Sequence, residues 1–133
     1  MLKPDFTRYS LALVDENQII FFSEGHGLKP LWDCLEDYRH EKKSLILHDK
    51  VIGLAAAKLV SYSGIISVIQ ALLVSQPAKI YLEENHIKTE AKITVANILT
   101  KDRRSICPGE IIALNTDEPD DFRAKIKKML SNF

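Results

Sequence analysis

The sequence predicts an α/β protein, a three-layer α/β/α sandwich built on a mixed sheet, and three features carry that reading. Apolar runs of strand length alternate with segments of helical periodicity, which implies right-handed parallel crossovers. Two adjacent β-rich runs precede the alternation and add an antiparallel hairpin. The length of 133 residues, 46% of them hydrophobic, suits one layered core, so the chain is read as a single domain over 1–133.

Tyr9 to Val14 and Ile19 to Ser23 are the hairpin strands, separated by the polar turn Asp15-Glu16-Asn17-Gln18. After Gly25-His26-Gly27, Pro30 suits a first helical turn, and Leu31, Leu35 and Tyr38 recur at helical spacing. A helix is therefore expected from Lys29 to Arg39. Glu41-Lys42-Lys43 reads as a solvated connector and Ser44 to His48 as a short strand buried within a sheet. Asp49 is then expected to cap a helix from Lys50 to Tyr62, in which Gly53 and Ala55-Ala56-Ala57 allow close packing before Ser63-Gly64 ends it.

Ile65 to Val74 is the most apolar stretch and reads as a strand, after which Ser75-Gln76-Pro77 starts a helix over Ala78 to Asn85. Thr89 to Val95 is a weaker strand, Ala96 to Arg104 a polar loop, and Cys107 opens a short helix. Thr116-Asp117-Glu118-Pro119 caps a terminal helix whose buried stripe is Phe122, Ile126, Met129 or Leu130, and Phe133.

Composition narrows the partners. Eighteen basic against eighteen acidic residues leave no net field to hold a polyanion, so nucleic acid is not expected. Two cysteines far apart, Cys34 and Cys107, are no disulfide framework and fit reduced thiols in the cytoplasm. Met1-Leu2-Lys3-Pro4-Asp5 lacks the apolar core of a signal peptide, and the longest apolar runs are interrupted well before spanning length. A cytoplasmic protein away from membranes is expected.

In sheets of this kind ligands collect where parallel strands end and helices begin. Gly25 to Pro30, His48-Asp49-Lys50 and Ser75-Gln76-Pro77 share that edge in this reading. Their glycines, free N–H groups and the charges of Lys29 and Lys50 suit an anion. Each residue also has a plain structural use: turn glycines at Gly25 and Gly27, an N-cap at Asp49, a solvated Lys50. Cys107 at a helix start, followed by Pro108 and Glu110, is either a structural start with Glu110 set against the helix dipole or an activated thiol. A thiol nucleophile needs a base, and His48 and His26 are the histidines near this edge. His40 and His86 read as exposed, and Cys34 as core.

Three motifs occur in order: Gly25-x-Gly27-x-Lys29-Pro30-Leu31, Asp49-Lys50-Val51-Ile52-Gly53-x-Ala55-Ala56-Ala57, and Cys107-Pro108-x-Glu110. With them the chain resembles a small prokaryotic family whose domain is of unknown function and has a cytidine-deaminase-like fold. The resemblance spans most of the chain and implies that fold, with ligand-binding residues at Gly25, Gly27, Lys29, Asp49, Lys50, Gly53, Ser75, Cys107 and Glu110. Zinc deaminases place His-x-Glu at one helix start and Pro-Cys-x-x-Cys at the next. This chain offers His26-Gly27-Leu28 and His48-Asp49-Lys50 instead, so no zinc is expected.

The leading expectation is a deaminase-like domain that binds a nucleotide-like or phosphorylated small molecule, of ADP-ribose or nicotinamide-nucleotide type. Beside it stand an enzyme of another class, with Asp49 or Cys107 as nucleophile and Lys50 stabilising negative charge, and a regulatory or interaction subunit that forms a homo-oligomer.

Overall fold

A hairpin begins the sheet. β1 (Leu11–Asp15) and β2 (Gln18–Ser23) pair antiparallel, and Glu16 takes the left-handed φ of 57° that lets a tight turn follow the strand twist. The computed structural model describes residues 1–41, 44–99 and 105–132. Within them follow α1 (Lys29–Asp37), β3 (Leu45–Ile52), α2 (Leu54–Ser63), β4 (Ile66–Ser75), α3 (Gln76–Glu84), β5 (Lys88–Val95), α4 (Pro108–Asn115) and α5 (Pro119–Ser131). Lys42 and Lys43 of the connector, residues 100–104 of the polar loop, and Phe133 lie outside the described residues.

The five strands form a mixed sheet in the order β2-β1-β3-β4-β5, with β1 antiparallel to both neighbours and the other four parallel to one another. The crossovers through α1, α2 and α3 all step across the sheet in the same direction. A shared right-handed sense puts all three helices on one face. Packing agrees: α1 lies on β1, α2 on β3 and β4, α3 on β4 and β5, and α2 touches both α1 and α3.

The last two helices do not cover the opposite face. α4 packs on α2 and α5 on α4, while Arg123 of α5 reaches Glu36 of α1 at 2.6 Å. α2 is thus enclosed between sheet and outer helices, and every residue from Leu54 to Val60 is buried. The small Ala55, Ala56 and Ala57 permit that enclosure. Layers among the described residues run sheet, three helices, two helices, whereas the sandwich expected from the sequence has helices on both faces of the sheet. Phe122 and Ile126 complete the core from α5 as its stripe predicts.

Strand and helix limits otherwise fall within a few residues of expectation, except around Asp49. β3 does not stop at His48, because β1 and β4 continue beside it. Asp49 pairs with Leu11 and with Ala71, and the Lys50 N–H donates to the Ser10 carbonyl at 2.9 Å. Partners on both sides outweigh the local helix-start signal, and Asp49 is a strand residue, not an N-cap.

The face of the sheet away from the helices carries a polar line. Ala12, His48, Gln70 and Glu90 are successive neighbours across β1, β3, β4 and β5. A carboxylate only accepts, so Glu90 orients the Gln70 amide, whose nitrogen donates to it at 2.9 Å. The Gln70 oxygen then faces His48 Nε2 at 2.9 Å, which places the ring proton there and leaves Nδ1 to accept from the Tyr9 hydroxyl at 2.8 Å. Residues 2 to 9 run over this face, Phe6 standing edge-on to Tyr9. Burial holds the His48 pKa below its ordinary 6.5, against the Gln70 hydrogen bond. The unfolded chain therefore binds the proton more readily, and stability is lost as pH falls below 6.5. Urea melts across that range should show a shallower acid loss in His48→Gln than in the parent.

Candidate functional site

Position 53 is a glycine because a carboxylate lies where its side chain would be. Gly53 is the residue before α2, and a Cβ there would sit 2.5 Å from Oε1 and 2.6 Å from Cδ of Glu110. That carboxylate accepts from the first backbone amides of α2, Oε2 from Leu54 N–H at 2.7 Å and Oε1 from Ala55 N–H at 2.9 Å. Helix starts leave such amides without intrahelical partners, and a buried anion against them is doubly favourable, by hydrogen bonding and by the dipole. Glu110 is buried. Its role differs from the one expected: it serves the N-terminus of α2 rather than that of its own helix.

A second contact joins the same two helices in the opposite electrostatic sense. Lys58 of α2, only 5% exposed, donates from Nζ to the carbonyls of Ala113 at 2.6 Å and Thr116 at 2.8 Å, where α4 ends. Carbonyls there form the negative end of the helix dipole. The ammonium also lies 5.6 Å from the Phe122 ring centre and 6.0 Å from that of Tyr81. Burial lowers the Lys58 pKa, and the charge of Asp117 opposes the shift.

The residues that the sequence marked for ligand binding are mostly engaged within the fold. Ser75 is buried as the N-cap of α3 and accepts from Ala78 N–H at 3.2 Å. Lys29 pairs with Asp33 at 2.6 Å on the surface of α1. Gly25 donates its N–H to Ser23 Oγ at 3.0 Å and accepts from the Ser10 hydroxyl, while Gly27 supplies a φ of 76° in the turn into α1. Lys50 is exposed on β3. Cys107 is the N-cap residue of α4, as expected, with its N–H on the Ile98 carbonyl at 3.0 Å. His48 commits both ring nitrogens to Tyr9 and Gln70, so it is no base for Cys107. Cys34 is core, its thiol pushed up to about 12 by burial and by the nearby charges of Asp37 and Asp49.

Asp49 stands apart. The residue is half-buried, yet burial holds its carboxyl well above the ordinary carboxylate range, against the N–H groups of Val51 and Lys50 that favour ionisation. Among the described residues, no three His, Cys, Asp or Glu side chains converge as metal ligands.

An open groove of about 460 Å³, unforeseen from the sequence, lies between α2, α3 and α4. Tyr62, Tyr81, Ile80 and Leu114 line it with Lys58, and Glu84 and Asp117 add carboxylates. Tyr62 stands edge-on to Phe122, and burial raises its phenol, helped by the Tyr81 hydroxyl and by the charges of Asp117 and Glu118. The signal was obscured because these residues come from three separate helices. Only the register of α2 against α4, held by Glu110 and Lys58, brings them to one wall.

A five-stranded mixed sheet with one enclosed helix, capped from a distant helix, defines a small α/β domain with a cleft at its helical surface. The chain belongs to the DUF1893 family: the family model TM1506, a domain of unknown function, matches residues 5–130. A crystal structure of a DUF1893 family protein, TM1506 from Thermotoga maritima, is similar with a TM-score of 0.79 and 28% identity, over 96% of this chain and 83% of that one. None of the curated proteins matches the chain.

Gly53→Ala and Glu110→Ala should each lower stability by about 2 kcal/mol in chemical melts, the loss of a charge-assisted cap. The double variant should be no less stable than Glu110→Ala alone, because the added Cβ then meets no carboxylate. Asp49 carries the opposite pH sign to His48. Its raised folded pKa means that the unfolded chain releases the proton first, so stability falls as pH rises above 3.8. Asp49→Asn should raise Tm at neutral pH and flatten that decline.

Proposed function

We propose that this chain is a non-catalytic binding domain on a cytidine-deaminase-like scaffold, holding a nucleotide-like small molecule by its ring in the groove between α2, α3 and α4. One observation carries the reading: the helix start at the strand edge is closed by Glu110, while the groove beside it is open and aromatic. Because β2 and β3 run parallel, α1 and α2 begin at the same edge of the sheet. A zinc deaminase sets its His-x-Glu and its cysteines at two such starts. Here the second start is Ile52-Gly53-Leu54 under an internal carboxylate, which supports the scaffold without the chemistry.

The same contacts argue against engagement through phosphate. Glu110 takes the first amides of α2, the Ser75 hydroxyl caps α3, and Lys29 is paired with Asp33. A phosphate would have to displace groups already satisfied. The groove instead offers phenol rings, whose faces suit a planar base. Such ligands bury most of their surface in clefts of this size. Among the described residues no helix is long and apolar enough to cross a membrane.

Thermal melts with adenosine, AMP and ribose 5-phosphate, each at high excess, test the proposal. Adenosine should raise Tm by several degrees, AMP by less because its phosphate would meet the carboxylates of Glu84 and Asp117, and ribose 5-phosphate should not raise it. Tyr81→Ala should abolish the rise. Stabilisation by ribose 5-phosphate alone, or by none of the three, would contradict it.

A further inference from the structure

The charges around the groove are unequal in kind. Lys58 supplies its one cation, and that ammonium already holds two carbonyls at the end of α4 and faces the Tyr81 and Phe122 rings. Its charge is met by the fold. Glu84 and Asp117 are exposed, line the same groove, and enter no ion pair among the described residues. Glu118, next to Asp117, adds a further carboxylate, spent on the amides of Asp120 and Asp121 at the start of α5. The groove is thus a trough of tyrosine and aliphatic carbon with unpaired negative charge at its rim.

We infer that this groove selects a flat organic cation, an aromatic or amidine-type ring bearing positive charge, over a neutral or anionic ring of the same shape. The inference rests on the groove being the ligand site and adds the charge of the ligand to that reading. A planar cation gains twice there. Its ring packs among the phenol rings of Tyr62 and Tyr81, and its charge meets Glu84 and Asp117 without competing for the carbonyls that Lys58 occupies. An anion of the same size would face two exposed carboxylates that form no ion pair among the described residues, and a neutral ring would forgo the rim. The negative field acts on the protein's own groups too: the charges of Asp117 and Glu118 help raise the Tyr62 phenol.

Benzamidine and benzoate, alike in shape and opposite in charge, separate the alternatives by titration followed in two-dimensional NMR. Benzamidine should shift resonances of Tyr62, Tyr81 and Leu114 and bind at least about tenfold more tightly than benzoate, a difference of about 1.4 kcal/mol. The double substitution Glu84→Gln and Asp117→Asn should remove that preference. Both side chains are exposed, and an unchanged Tm will show that the variant is folded. Equal or tighter binding of benzoate, an undiminished preference in the double variant, or no benzamidine shifts up to about 10 mM would overturn the inference. Adenosine binding without benzamidine binding would sink this inference alone. Loss of both would take the ring-binding reading with it.

Discussion

The carboxylate of Glu110, set against the first amides of α2, is the contact on which the arrangement of the helices depends. The first residues of α2 are buried, and unmet amides there would each cost about 1 to 3 kcal/mol. Glu110 meets two of them, 56 and 55 positions away in sequence, and Gly53 leaves it the room. Lys58 answers at the other end of the pair, holding the last carbonyls of α4. The two helices therefore exchange opposite charges across one interface. Each buried ion has a helix terminus as its partner, which is the condition for burying charge without loss.

Much follows from that exchange. With α4 fixed along α2, α5 is positioned to set Phe122 against Tyr62 and to stack Arg123 4.8 Å above the Trp32 ring of α1. The outer pair of helices closes over α2 instead of crossing to the far side of the sheet. That far side is organised separately, by the hydrogen-bonded line from Tyr9 through His48 and Gln70 to Glu90 and by the N-terminal residues above it. The groove is a by-product of the same geometry, since Ala113 and Leu114 form one wall and Tyr81 with Ile80 another. An anion site at the strand edge and the clasp compete for the same amides, and the clasp holds them.

Much of this was legible in the sequence, and the limits are physical. Alternating periods gave the strands and the crossover helices, and Ser75-Gln76-Pro77 and Cys107-Pro108 marked two true helix starts. Asp49 misled because an acidic residue after an apolar run is also the sign of an N-cap. Its place in β3 follows from pairing with β1 and β4, which no local pattern encodes. Placing helices on both faces of the sheet failed for a similar reason, because the direction of each crossover depends on strand order. Glu110 was visible as a residue of interest, but its partner was hidden: a carboxylate in a first turn reads as serving its own helix. Lys58 gave no signal in a helix of small residues, and the groove that it borders draws on residues from Leu54 to Pro119.

Amide hydrogen exchange at Leu54 and Ala55, read by NMR in the parent protein and in Glu110→Ala, tests the cap that Glu110 places on α2. Amides at a helix start exchange fast unless a partner outside the helix holds them. With the cap in place both amides should exchange slowly in the parent, at rates near those of buried sheet amides. In the variant both should become fast while the amides of β3 and β4 stay protected. Fast exchange of Leu54 and Ala55 in the parent, or slow exchange that survives loss of the carboxylate, would contradict it.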